Sequence, residues 1–308
     1  MGFLYALAFT EAEAEIAALE LWAMTAARAE GRLGFSSVGC DVGAAAYTRL
    51  CLRILAAAEE AQTLVGRVAD LGLAAEGFAI EVAKVPPKPK VDSMALCKEL
   101  ADVIAGAPNL DSPRVRYAVV ATQGGCWFGQ VVSMSRRDWH DSHSRPGHFS
   151  NSLPVRLARA LVNLVAVPGD TLVDPCCGAG TVLIEAALVG VRAEGYDAAW
   201  PRVAQSRENL SYFGLEVPVA RGDARRLEGC WDAAVLDLPY GHTSFADDAL
   251  YADIVANISA RAGRLAVVTG ADKSYLWREM GLRLLGTARV PTSNLVRHIY
   301  LLAGARKG

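Results

Sequence analysis

Four acids stand at intervals in the second half of this 308-residue chain: Asp174, Asp197, Asp223 and Asp237. Each closes a short apolar run that reads as a strand. The first opens a glycine-rich turn, Asp174-Pro175-Cys176-Cys177-Gly178-Ala179-Gly180-Thr181, that leads into a helical pattern. Glycines there let the backbone bend sharply and approach a ligand with no Cβ in the way. In an open α/β sheet, ligands bind beyond the carboxyl ends of the strands. A carboxylate at 197 can accept both hydroxyls of a ribose, and one at 223 can accept from an adenine amino group. Each acid taken alone is more often a helix cap or a turn residue. Successive strand ends after a glycine-rich turn are harder to explain that way. A dinucleotide fingerprint would carry a third glycine where this chain has Leu183. The pattern therefore disfavours a pyrophosphate ligand against another adenosyl ligand.

The fourth acid begins Asp237-Leu238-Pro239-Tyr240-Gly241. As plain structure this would be a turn with an exposed tyrosine. Its residues resemble the Asp/Asn-Pro-Pro-Tyr/Phe signature of class I S-adenosylmethionine-dependent methyltransferases that act on exocyclic amines. The stretch Ser152–Leu164, followed by Asp174-Pro175-Cys176-Cys177-Gly178, further resembles archaeal-type tRNA guanine-N2 methyltransferases acting at tRNA position 10. Two departures stand out: Leu238 replaces the first proline, and Cys176 replaces the usual aromatic before the motif cysteine. The resemblance covers the chain from Ser152 onward. It implies S-adenosylmethionine as cofactor, held by Asp174, Cys176, Gly178, Gly180, Thr181, Asp197, Asp223 and Ala224. It implies catalysis by Asp237, Leu238, Pro239 and Tyr240. It also implies tRNA as partner and an N-terminal ferredoxin-like plus THUMP RNA-binding region. A monomer is expected, and a small activating subunit is left open.

The chemistry is consistent with these residue types. An exocyclic guanine amine is a poor nucleophile because its lone pair is delocalised into the ring. Two acceptors on its N–H groups, the Asp237 carboxylate and the Leu238 carbonyl, would turn that lone pair out of the base plane. The same groups would stabilise positive charge developing on nitrogen. Tyr240 would stack on the base. A paired guanine must also be extruded, at a cost of a few kcal/mol, so backbone contacts elsewhere must offset it. Candidates are Lys84, Lys88, Lys90, Arg136, Arg137 and Arg145; each is otherwise an ordinary solvated charge.

The elements that would position these groups divide the chain in two. From Pro154 onward, strand and helix patterns alternate and end in two adjacent strands, Leu282–Val290 and Val296–Leu302. This predicts a doubly wound, mostly parallel seven-stranded Rossmann-like sheet with a closing hairpin. Earlier, Leu4–Phe9 reads as a strand and Thr10/Glu13 as a capping box opening a helix. Ala57–Leu71 reads as a helix and Phe78–Val85 as a strand. Asp92 would cap a helix through Ala105. Arg116–Ala121 and Trp127–Met134 read as a hairpin around Gln123-Gly124-Gly125. This mixture predicts α+β packing over residues 1–140, a linker at 141–151 and the cofactor domain at 152–308. The stretch Trp139–Asn151 holds three of the five histidines but shows no fourth ligand, so no metal is expected.

Composition narrows the class. With 52% hydrophobic and 21% charged residues, the chain has a globular composition. No apolar run reaches about 18 residues, so no membrane span is expected. The start lacks a basic signal-peptide region. The seven cysteines form no C-x-x-C pair, which suits reduced thiols and a cytoplasmic setting. Residues 1–150 hold 14 Lys+Arg against 17 Asp+Glu, and residues 151–308 hold 17 against 16. Totals alone therefore give no basic footprint for nucleic acid. Competing readings are methylation of rRNA or DNA amines, an RNA-binding protein with a degenerate methyltransferase half, and a nicotinamide dehydrogenase.

Overall fold

The computed structural model describes residues 2–139, 146, 153–239, 244–292 and 295–305. It contains two compact units, each with its own seven-stranded sheet.

The first unit comprises Met1–Ala8, Met24–Gly43 and Tyr47–Arg136. Its strands are β1 (Phe3–Leu7), β2 (Arg28–Glu30), β3 (Leu33–Ser36), β4 (Thr48–Ala58), β5 (Phe78–Lys84), β6 (Val115–Thr122) and β7 (Gly125–Met134). They lie in the order β2-β3-β1-β4-β7-β6-β5. All neighbours are antiparallel except β5 and β6. Helix α1 (Ala14–Thr25) follows β1, and α2 (Ala61–Asp70) and α3 (Ser93–Asp102) flank β5 in sequence. Leu64 and Val68 of α2, and Leu96 and Leu100 of α3, recur at i, i+4 and pack with Phe78, Tyr117 and Phe128. The Asp92 side chain accepts from the Met94 and Ala95 amides at 3.0 and 3.1 Å, the cap read from sequence. The expected hairpin is β6–β7. The helix expected from Ala57 begins later, at Ala61, because β4 runs on to Ala58 and pairs it with Cys126 of β7. Alanine's helix propensity yields there to a sheet partner.

The second unit comprises Phe9–Ala23, Ala44–Ala46 and Arg137–Gly308. After α4 (Val155–Val165), strands and helices alternate: β8 (Thr171–Asp174), α5 (Thr181–Leu188), β9 (Arg192–Asp197), α6 (Trp200–Tyr212), β10 (Val219–Arg221) and β11 (Trp231–Asp237). Then come α7 (Ser244–Ser259), β12 (Ala262–Thr269), α8 (Ser274–Glu279), β13 (Arg283–Pro291) and β14 (Val296–Ala303). The strand order is β10-β9-β8-β11-β12-β14-β13. Five strands are parallel, and β14 runs antiparallel between β12 and β13. The doubly wound sheet and closing hairpin expected from sequence are both present. The chain winds outward from β8 to β10, then returns to β11 on the other side of β8. By the general right-handedness of such crossovers, this strand order puts the two helix sets on opposite faces and opens a crevice between the β8 and β11 tips.

The units are not consecutive pieces of chain, whereas the sequence reading drew one boundary at residues 141–151. Most of α1 belongs with the second unit. Glu20, wholly buried, accepts from Asn163 of α4 at 2.8 Å and from the Ala46 amide at 2.7 Å. Glu15 takes the Arg289 side chain at 2.7 Å and its backbone amide at 2.8 Å. Composition carries no trace of such distant pairings.

Candidate active site

A cavity of about 980 Å³ lies at the carboxyl ends of β8, β9, β10 and β11. Asp174, Cys176, Gly178, Thr181, Asp197, Asp223, Ala224, Asp237, Leu238 and Pro239 all line it. Tyr240 lies outside the described residues, as do Arg145 and His140, His143 and His148 of the histidine-rich stretch.

The glycine-rich turn is held by its own amides. Gly178 donates to Asp197 Oδ2 at 3.0 Å, and Ala199 donates to Oδ1 at 2.9 Å. This fixes the carboxylate that the sequence reading assigned to a ribose. Gly178 has φ +51°, and a Cβ there would meet no heavy atom within 4 Å. Gly180 differs. It sits at φ +81°, just before the first turn of α5, and does not line the cavity. A Cβ there would lie 2.4 Å from Ser206 Oγ on α6. Its glycine thus serves the close approach of two helices, which corrects the expectation that it lies against the cofactor.

The β8–β11 end of the cavity is acidic. Asp174 is buried and accepts from the Cys176 amide at 3.1 Å. Burial pushes its carboxyl well above the usual carboxylate range; that bond opposes the shift, and the nearby charges of Asp237 and Asp197 add to it. Burial also pushes the Cys176 thiol up, with Asp174, Asp197, Asp237 and Asp223 adding to the effect. Cys176 is therefore a neutral wall group, without thiolate character.

The β10 end carries cations. Arg202, Arg221 and Arg225 line the cavity there. Arg225 binds Asp223 through Nε to Oδ1 at 2.9 Å and Nη2 to Oδ2 at 2.7 Å. These bonds hold the Asp223 carboxyl down at about 2. Asp223 thus stands where the sequence placed it, but already engaged. Arg225 was not singled out from sequence, where an arginine two residues after an acid is unremarkable.

At the tip of β11, Leu238 is wholly buried and its amide donates to the Val268 carbonyl at 3.1 Å. A proline, which the related signature has at this position, would lack that bond. The Pro239 carbonyl accepts from the Tyr251 hydroxyl of α7 at 2.6 Å. No sequence signal pointed to Tyr251, because a hydroxyl-to-carbonyl contact across twelve residues leaves no local pattern.

Of the basic residues considered for backbone contacts, Lys84 donates to the Val91 carbonyl, and Lys88, Lys90, Arg136 and Arg137 are exposed. No helix of the described residues is long and apolar enough to cross a membrane.

Residues 143–295 match the model of a family described as RMKL-like, methyltransferase domain. Just under half of the chain is thus similar to a methyltransferase domain. The chain is 44% identical over 115 residues to a tRNA (guanine(10)-N2)-dimethyltransferase of Methanothermobacter thermautotrophicus, covering 36% of this chain and 34% of that protein. It is 32% identical over 193 residues to the enzyme of the same name from Pyrococcus abyssi, covering 57% and 58%. The matches thus span about one third to three fifths of these relatives' length. The crystal structure of TrmN from Thermus thermophilus aligns over 99% of this chain and 100% of that one, with TM-score 0.52 and 20% identity. That likeness is one of fold.

Proposed function

We propose that the chain transfers a methyl group from S-adenosylmethionine to the exocyclic N2 amine of a guanosine in tRNA, at position 10. One observation carries this reading. Asp237 and Leu238, the amine acceptors, line the same cavity as Gly178 and Asp197, the expected cradle of the cofactor. The similarity to tRNA guanine-N2 dimethyltransferases supports the choice of base and of RNA.

The cavity suits the cofactor chemically. Its acidic end favours a ligand carrying sulfonium and ammonium charge over a pyrophosphate. Asp174, buried beside two other carboxylates, gains a counter-charge when an ammonium arrives. Asp197, oriented by the Gly178 and Ala199 amides, keeps lone pairs for ribose hydroxyls. Asp223 and Ala224 take the adenine edge, with Arg225 shifting on, or sharing, the Asp223 carboxylate. The bound cofactor supplies an electrophilic methyl. The Asp237 carboxylate and the Leu238 carbonyl then orient the amine so that its lone pair faces that methyl in line. No strong base is needed, because a methylated ammonium loses its proton readily. Tyr240 stacks on the extruded base. The first unit, read as the ferredoxin-like and THUMP-type RNA handle, offsets the extrusion cost through phosphate contacts. The protein acts as a cytoplasmic monomer.

Nucleoside mass spectrometry of unmodified tRNA, before and after incubation with the protein and S-adenosylmethionine, tests the proposal. N2-methylated guanosine at position 10 is the expected product. Methylated adenosine, or no product on tRNA with product on rRNA or DNA, would overturn it.

A further inference from the structure

We infer that Tyr251 is a positioning residue for the amine-binding loop, an inference that rests on the proposed methyl transfer at Asp237–Tyr240. The argument starts at Pro239. Its ring fixes φ near one value, leaving ψ as the soft torsion that sets where the following peptide points. The Tyr251 hydroxyl donates to the Pro239 carbonyl at 2.6 Å and so restrains that torsion as well. On the other side, the Leu238 amide is tied to Val268 at 3.1 Å. The residue supplying the second amine acceptor and the proline leading to Tyr240 are thus held from two neighbouring elements, β12 and α7.

Tyr251 is itself firmly placed. It is 3% exposed. The Lys273 ammonium stands 5.9 Å from its ring centroid. That ammonium is paired with Asp248, whose other oxygen accepts from Tyr275. The Lys273 amide donates to the Tyr300 hydroxyl at 2.7 Å, fixing the backbone from which the lysine rises. A buried charge held in this way orders the ring, and the ring orders the carbonyl. Methyl transfer depends on angle as much as on distance, so a loosened Pro239 peptide should slow chemistry without weakening cofactor binding.

The test uses the full chain with Tyr251→Phe, which keeps the ring and removes only the hydroxyl, and Tyr251→Ala, which removes both. Methyl transfer to an unmodified tRNA transcript, S-adenosylmethionine affinity by calorimetry and amide exchange of the peptide covering Asp237–Gly241 are measured for each. Losing one such bond should lower kcat about tenfold in Tyr251→Phe. KM for tRNA and cofactor affinity should stay near wild type, and the Asp237–Gly241 peptide should exchange faster. A Tyr251→Phe protein with wild-type kcat would overturn the inference, since the ring alone would then suffice. If the wild-type protein binds S-adenosylmethionine but methylates no tRNA, the tRNA reading fails separately. Exchange then decides: faster exchange in Tyr251→Phe upholds the positioning role, and unchanged exchange overturns it.

Discussion

The two sheets have the same number of strands and opposite logic. In the first, nearly all neighbours are antiparallel, so successive loops leave from alternate edges. In the second, five parallel strands send every carboxyl end to one edge. Four strand ends, contributed by residues scattered from Asp174 to Asp237, therefore meet at one cavity. A parallel sheet gathers chemistry from distant sequence, whereas an antiparallel sheet spreads its loops and suits extended surface contact. On this comparison the second sheet should hold the reaction and the first should hold the RNA.

Asp237→Ala gives the sharpest test. It removes one preorganised acceptor at a parallel strand end. By analogy with oxyanion-hole donors, single-turnover methyl transfer should fall about 10²–10³-fold. Cofactor affinity by calorimetry and tRNA affinity by filter binding should stay close to wild type. A wild-type rate would mean that the amine is held elsewhere, and the contrast between the sheets would lose its chemical half.

Two glycines two positions apart, flanking Ala179, sharpen the same contrast within the cavity turn. At Gly180 a side chain meets both a left-handed backbone and Ser206 Oγ at 2.4 Å. Gly180→Val should cost roughly 2–4 kcal/mol of stability, read by denaturant melts. At Gly178 the backbone is also left-handed but the space is open. Gly178→Ala should cost about 1–2 kcal/mol and should lower cofactor affinity in a protein that remains folded. Equal binding losses in both variants at matched stability would put Gly180 back on the ligand.

This pair also shows what the sequence made legible. The glycine-rich turn, the acids at strand ends and the alternating strand–helix pattern follow from local rules of turn chemistry and periodicity, and they sufficed for the parallel sheet. Which glycine lines the cavity and which faces a helix depends on Ser206, twenty-six residues further along. Arg225 on Asp223, Tyr251 on Pro239 and Glu20 on Asn163 are likewise tertiary choices. In the first unit, an alanine run that satisfies helix propensity becomes the end of β4 because β7 offers it a partner. Local sequence specified elements and strand-end acids; pairing between distant elements decided the rest.

Asp174 provides a pH signature of the acidic end of the cavity. Folding raises its carboxyl pKa, so the native state holds the proton more tightly than the unfolded chain does. Its contribution to stability is therefore fully present below the ordinary aspartate range and is lost as pH rises through the raised native value. Asp174→Asn, which keeps an oxygen for the Cys176 amide, should remove this slope. Tm measured against pH should fall less steeply above pH 4 in the variant. In the wild-type protein, cofactor affinity should rise with pH over the same window, because an arriving ammonium favours the ionised carboxylate. A wild-type Tm profile parallel to that of Asp174→Asn would mean that this carboxyl ionises freely in the folded state.

The smallest expected effect probes the RNA-holding half of the comparison. Lys84 binds the Val91 carbonyl and so closes the segment between β5 and α3 at its base. The Val85 amide, bonded to Ala121 at 2.9 Å, ties the same segment to the sheet. Lys88 and Lys90 stand exposed between these anchors. Two ammonium groups on a braced segment lose little order on meeting a phosphate backbone, which makes them effective contacts despite the surplus of acids over residues 1–150. Replacing both with alanine should weaken tRNA binding uniformly across tRNA sequences and leave single-turnover chemistry on saturating tRNA unchanged. The slope of log affinity against log salt should become shallower by about 1 for each lysine that contacts a phosphate. An unchanged slope in Lys88→Ala/Lys90→Ala would remove this segment from the RNA surface. The phosphate contacts that offset base extrusion would then have to come from other cations, with Arg136 and Arg137 the next to substitute.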